Sequence, residues 1–198
     1  MPELSLCMIV KNEEKHLERC LSSVKEVANE IVIVDTGSSD NTIEIAKSFG
    51  VNLFYFDWVN DFSAARNFAL SKCSADWVLY LDADEELNHD SIEEVKKYKS
   101  HTPAGVYCTV KSLGSSTANG SVMRYPRLFA NVPGLEFVGK VHEQISDSIK
   151  KNKIPLVESE IEIIHYGYAI DEDGLKRKKE RNVSLLLSNE NKKSNVYD

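Results

Sequence analysis

With 198 residues, 42% of them hydrophobic, the chain suits one domain, or one domain with an appendage, and is too apolar to be globally disordered. The formal net charge of −7 argues against nucleic acid as a main partner. The same charge means that an acidic site would not draw in a diphosphate unaided, so such a ligand calls for a metal ion.

Residues 4–10 (LSLCMIV) read as a first core strand, too short to cross a bilayer and without the basic segment of an export signal. Residues 13–27 follow as a helix with Leu17, Leu21, Val24 and Val27 on one side. Residues 30–35 (EIVIVD) form a second strand, ending in the turn-rich Thr36-Gly37-Ser38-Ser39-Asp40-Asn41. Asn41 with Glu44 suits the start of a helix that ends near Phe49, and Gly50 suits its stop. Residues 51–56 read as a third strand and residues 62–72 as a helix capped by Asp61. Residues 77–82 form a fourth strand, and Asn88 caps a helix running to Lys99.

Strands alternating with helices predict a parallel, doubly wound α/β sheet for the first hundred residues. After Pro103 the pattern turns β-rich: strands at 105–113, 122–129, 136–145 and 156–164, with a turn signal at 114–120. A final helix is expected from Gly174 to about Ser188, where Leu185, Leu186 and Leu187 make an apolar patch close to a polar end. Cys7, Cys20, Cys73 and Cys108 have no zinc-like spacing and no C-x-x-C pair, so reduced thiols in a cytoplasmic protein are expected.

Trp77-Val78-Leu79-Tyr80-Leu81-Asp82-Ala83-Asp84 is the most informative stretch. An apolar run with little alternation is the mark of a strand buried on both faces of a parallel sheet. In open α/β sheets the carboxyl ends of such strands face the ligand crevice. Two carboxylates placed there repel each other unless a cation or a proton relieves them, and a divalent metal carrying a diphosphate satisfies both. Taken without that context, capping or an exposed loop explains the pair equally well. The first strand ends in Lys11-Asn12-Glu13 and the second in Asp35, so three segments converge on one edge.

Other positions carry two readings each. Asp35 either organises its Gly-Ser-Ser turn or accepts hydrogen bonds from a base or ribose. Arg66, in DFSAARNFAL, is a surface or ion-pair arginine unless the small residues around it bring the helix close to the sheet. Glu85 and Glu86 read as solvated charges. His142 and Glu143 follow FVGKV as a polar edge or as a general base, and His165 is a structural histidine or a metal ligand. The run Lys176-Arg177-Lys178-Lys179 reads as a solvated helix face.

The segments LSLCMIVKNEEKHLERCLSSV, EIVIVDTGSSDNT, DFSAARNFAL and WVLYLDADEEL, in this order, resemble the family-two glycosyltransferases of the GT-A (nucleotide-diphospho-sugar transferase) fold. The later FVGKVHEQI and HYGYA resemble the distal half of a bacterial subgroup in which helical repeats often follow. The resemblance implies a mostly parallel, Rossmann-like sheet flanked by helices, with a β-rich acceptor-side half and a C-terminal helix. It divides the chain into a domain over 1–170, comprising a nucleotide-binding half (1–102) and an acceptor-side half (103–170). Residues 171–198 would be a helix and tail that could begin a further region.

Carried across by position, the resemblance puts Val10, Asn12, Glu13 and Asp35 at the nucleoside, Arg66 near the nucleotide and Asp82 near ribose and metal. It makes Asp84 the principal ligand of Mn2+ or Mg2+, with Asp82 and His165 completing the site. The implied activity is metal-dependent, inverting transfer of a sugar from a nucleoside-diphosphate donor, with uridine favoured, to a hydroxyl on a glycan, lipid or protein. No T-E-D acid motif and no Q-x-x-R-W motif is present, and Glu143 becomes the base candidate by elimination and position. A non-catalytic nucleotide-sugar sensor is the alternative, and a nucleotidyltransferase a weaker one, because Lys11-Asn12-Glu13-Glu14 lacks a Gly-rich phosphate loop. The expected location is the cytoplasm, with membrane contact at most peripheral.

Overall fold

A computed structural model describes residues 3–98, 102–113 and 120–167. Strand β1 (Leu4–Val10) is followed by helix α1 (Leu17–Val24), β2 (Glu30–Asp35), α2 (Thr42–Ser48), β3 (Asn52–Tyr55), α3 (Phe62–Leu70) and β4 (Trp77–Tyr80). Next come β5 (Glu85–Leu87), α4 (Ile92–Tyr98), β6 (Gly105–Ser112), β7 (Ser121–Ala130), α5 (Ser146–Lys151) and β8 (Leu156–His165). All eight strands join one sheet in the order β3-β2-β1-β4-β7-β6-β8-β5.

The first four strands are parallel, as alternation with helices requires. Beyond β4 the sheet is mixed: β7 is antiparallel to β4 and β6, β8 is parallel to β6, and β5 is antiparallel to β8. Side chains alternate across β1, so Leu4, Leu6, Met8 and Val10 pack with Leu17, Leu21 and Val24 of α1 on one face. Cys7 joins Ala69 and Leu70 of α3 on the other face. Both faces are covered, and for that reason β1 shows no polar alternation. In α3, Ala65 and Ala69 lie one turn apart and are fully buried, which lets the helix approach the sheet closely.

Helix boundaries follow the local chemistry. Asp61 caps α3 by accepting from the Ala64 amide at 3.1 Å, and Asn88 caps the short 3-10 turn before α4. Gly50, at φ +67°, ends α2 as expected. The expected Asn41–Glu44 cap does not form. Asp40 accepts from the Thr42 amide at 3.0 Å instead, and Asn41 donates its own amide to Glu14. The first helix runs from Leu17 rather than from residue 13; a turn in which the Glu13 carbonyl accepts from the His16 and Leu17 amides at 3.0 Å leads into it, with the Glu13 and Glu14 amides donating to Thr42 and Asp40.

Two departures bear on the site. The strand expected at 136–145 is a loop closed by a single Val138–Gln144 bridge. Gly139 (φ +112°) and His142 (φ +59°) are left-handed, which breaks a ladder, and α5 follows at once. Conversely, Glu85–Leu87 pairs with the end of β8 where only solvated charge was expected. The C-terminal helix, its leucine patch, the basic run at 176–179 and the body of the 114–120 turn lie outside the described residues.

Candidate active site

The parallel strands end on one edge, and three turns meet there. Val10 is in register with Asp35 and Asp35 with Tyr55, so the loops after β1, β2 and β3 are neighbours. Asp35 is buried and accepts from the amides of Gly37 (2.9 Å) and Ser38 (3.0 Å), so its turn-organising role is realised. The loop after β1 is fastened to that turn. Asn12, at φ +57°, takes the Ser39 amide on Oδ1 at 2.8 Å and donates its own amide to Ser38 Oγ at 3.0 Å. The Glu13 amide donates to Thr42 Oγ1 at 2.7 Å. Val10, Asn12, Glu13 and Asp35 thus form one continuous rim.

Arg66 is a buried ion-pair residue, only 6% exposed. Its Nη2 donates to Asp82 Oδ1 at 2.5 Å, and its Nε pairs with Glu143 Oε1. The α3 helix therefore joins Asp82 to Glu143 across 61 residues of sequence through one guanidinium (Glu143 minus Asp82). His142, which precedes Glu143, is exposed and takes no part in that ion pair. A second arginine, Arg127 of β7, lies beside the first. Its Nη2 donates to Glu85 Oε1 at 2.7 Å and sits 3.9 Å from Asp82 Oδ2. Its guanidinium stacks over the Tyr80 ring at 4.4 Å from the centroid.

Glu85 is the clearest correction to the sequence reading: it is 2% exposed, not solvated. Burial pushes its carboxyl up to about 7, against the opposing pull of Arg127 and with a further push from Asp82. Burial would also raise Asp82, but the Arg66 and Arg127 guanidinium groups prevail and hold it well below the usual carboxylate range. Asp82 nevertheless keeps 39% of its side chain open to solvent, so it still faces the crevice. Glu86 is half-buried, accepting from the Tyr166 hydroxyl at 2.8 Å while Arg19 lies over the Tyr166 ring at 3.6 Å.

Asp84 faces away from the arginines. Its Oδ2 is 3.2 Å from His165 Nε2, and His165 Nδ1 is 3.1 Å from Ser112 Oγ. The Glu85–His165 register between β5 and β8 makes this meeting possible, and the Tyr166 amide donates to the Asp84 carbonyl at 2.8 Å. Gly167 closes the pocket. A Cβ there would lie 2.3 Å from His165 Nε2 and 2.5 Å from Asp84 Oδ2, so no other residue fits without displacing them.

Among the described residues no three acidic, histidine or cysteine side chains converge as a ready cation cage. Asp82 is turned to the arginines while Asp84 and His165 form a separate oxygen–nitrogen pair. That pair fits a divalent ion of the manganese type whose other positions go to phosphate oxygens and water. Arg127 and Glu85 are the residues that sequence reasoning missed. Their only signals were an arginine inside the apolar run before Leu128-Phe129-Ala130 and a glutamate directly after the aspartate pair.

The sheet order, the covered parallel half and the carboxylates at its edge define a GT-A type of nucleotide-sugar transferase fold. The chain belongs to glycosyl transferase family 2, whose model matches residues 5–153. It is similar to a TPR repeat-containing protein of Synechococcus elongatus, 38% identical over 86% of this chain and 44% of that protein. It is also similar to the SPbeta prophage-derived glycosyltransferase SunS of Bacillus subtilis, 30% identical over 93% of this chain and 44% of the relative. The chain therefore spans less than half the length of these relatives. Among solved structures it superposes on S. aureus TarS 1-349 with a TM-score of 0.61 at 16% identity, covering 83% of this chain and 60% of that one. Glucosyl-3-phosphoglycerate synthase from Mycobacterium tuberculosis, solved with Mg2+ and uridine diphosphate, gives a TM-score of 0.61 at 16% identity, covering 94% and 79%.

Proposed function

We propose that this chain binds a nucleoside-diphosphate sugar together with a divalent cation and transfers the sugar, with inversion, to an acceptor hydroxyl. The observation that carries the proposal is the Asp84–His165 pair standing beside Asp82, at the edge where Asp35 and the Val10–Glu13 turn also end. The nucleoside lies along the Asp35 rim, where backbone and side-chain groups are already fixed by the turns. Arg66 holds Asp82 and balances charge near the diphosphate. Asp84 and His165 would hold a Mn2+ or Mg2+ ion, which would supply positive charge for the departing diphosphate. Uridine is the favoured base, a choice supported by the uridine diphosphate in the mycobacterial synthase.

Glu143 is the base in this reading. The acceptor oxygen bonds to the anomeric carbon as the bond from that carbon to the diphosphate breaks, and the acceptor's proton passes to the Glu143 carboxylate. Arg66 engages Oε1, which leaves Oε2 as the oxygen for that proton. We extend the domain over residues 1–170, because the sheet is continuous from β1 to β8. All four cysteines are free thiols. No helix among the described residues is long and apolar enough to cross a membrane.

One observation favours a second reading, a nucleotide-sugar sensor without turnover: Glu143 is 12% exposed and already ion-paired. Incubation with a panel of nucleotide sugars and manganese separates the two. Release of free nucleoside diphosphate, by hydrolysis or transfer, supports the enzyme. Metal-dependent binding with no release supports the sensor, and no binding overturns both.

A further inference from the structure

Asp82 and Glu85 close a tight turn between β4 and β5. The Glu85 amide donates to the Asp82 carbonyl at 2.9 Å, and the Asp82 amide donates back to Glu85 Oε2 at 2.8 Å. The other carboxylate oxygen, Oε1, takes Arg127 Nη2 at 2.7 Å. Glu85 is thus bonded on both oxygens, one to the turn and one to a neighbouring strand. Arg127 is fixed in turn by the Tyr80 ring, which belongs to the strand that leads into the turn. Asp82 and Asp84, the two carboxylates that face the crevice, are carried on this closed unit.

We infer that Arg127 and Glu85 are positioning residues for the donor site, a buried ion pair that holds the Asp82–Asp84 turn at the geometry its ligand needs. The inference rests on the reading of that edge as the donor diphosphate site. Stability alone does not account for the pair. Buried ion pairs are often matched or bettered by apolar side chains of similar volume. Here the arrangement also leaves Arg127 Nε and Nη1 buried without a hydrogen-bond partner, a defect that an apolar residue would avoid. What an apolar pair could not supply is the acceptor for the Asp82 amide and the second cation, 3.9 Å from Asp82 Oδ2. Groups that orient metal-binding side chains typically account for 10–100-fold in metal affinity or activity.

The test compares the 198-residue chain with R127M, E85M, the double variant R127M/E85M, and R127K. Two quantities are measured on each: the melting temperature, and the manganese-dependent affinity for the nucleoside diphosphate that a panel of five identifies on the unaltered chain. Each single charge removal should lower the melting temperature, since it strands a buried charge. The double variant should recover that temperature while its manganese-dependent affinity stays at least about tenfold weaker. R127K, which keeps the charge but not the planar fork, should bind more tightly than R127M. If affinity returns with stability in the double variant, the pair is structural only and the inference is overturned. Should R127M fail to fold, the double variant and R127K decide the matter. Absence of any metal-dependent binding by the unaltered chain would overturn the donor-site reading, and the inference with it.

Discussion

Asp84 and His165 are separated by 81 residues of sequence and meet at 3.2 Å. The three-residue strand β5 brings them together, because its first residue, Glu85, is in register with His165 of β8. Removing either partner should therefore act through the cation. A ligand at about 100 times its dissociation constant adds about 2.7 kcal/mol of stability. We expect Asp84→Ala to abolish the manganese-dependent part of that gain, and chelator to do the same to the unaltered chain. Calorimetric titration of nucleoside diphosphate with and without manganese checks both. Equal affinity in the presence and absence of metal would remove Asp84 from the cation site.

Gly167→Ala isolates geometry from chemistry. No ligand group is removed, yet the new methyl would stand 2.3 Å from His165 Nε2 and 2.5 Å from Asp84 Oδ2. One side chain has to move, and metal-dependent nucleotide affinity should fall by about 10–100-fold. Gly167 does not sit at positive φ, so the effect is steric rather than conformational. Binding unchanged in the alanine variant would mean that the Asp84–His165 contact is dispensable.

Glu143→Gln keeps the size of the side chain and an oxygen for Arg66. If Glu143 takes the acceptor's proton, turnover should drop by about 10²–10⁴-fold with little change in donor affinity. A loss of donor affinity as large as the loss of rate would instead make Glu143 a holder of Arg66. Stopped turnover assays alongside equilibrium binding on the same protein separate these outcomes.

At the opposite end of the sheet, Glu30 gathers hydrogen bonds from Ser5 Oγ, the Ser74 amide (2.8 Å) and Ser74 Oγ (3.0 Å). Burial works to raise its carboxyl, but these donors prevail and its pKa is lowered. A carboxylate whose pKa is depressed by folding contributes stability above its unfolded value of about 4.3. That contribution is lost as pH falls through the folded value. Glu30→Gln should therefore flatten the acid limb of the stability curve below about pH 5. Parallel acid limbs for the two proteins in pH-dependent urea melts would show that Glu30 is not the source.

Local chemistry made the parallel half legible. Strands covered on both faces need apolar residues at successive positions, so β1, β2 and β4 stand out as runs, and the polar residues that end them mark the sheet edge. Asp35, Asp82 and Asp84 could be found in this way because their positions depend on residues adjacent in sequence. The second half was less legible. Short-range pattern suggests a strand at 136–145, but two left-handed residues turn it into a loop. What Glu85, Arg127, Arg66 and Glu143 do depends on which strands are neighbours and in what register. Nothing in the residues flanking Glu85 distinguishes a solvated charge from a buried partner of Arg127, 42 positions away. The amino-acid sequence by itself determined which residues end the parallel strands and so share one edge of the sheet. The tertiary structure alone decided how its charges are paired, because an ion pair is set by distance in space and burial, and neither is encoded by neighbours along the chain.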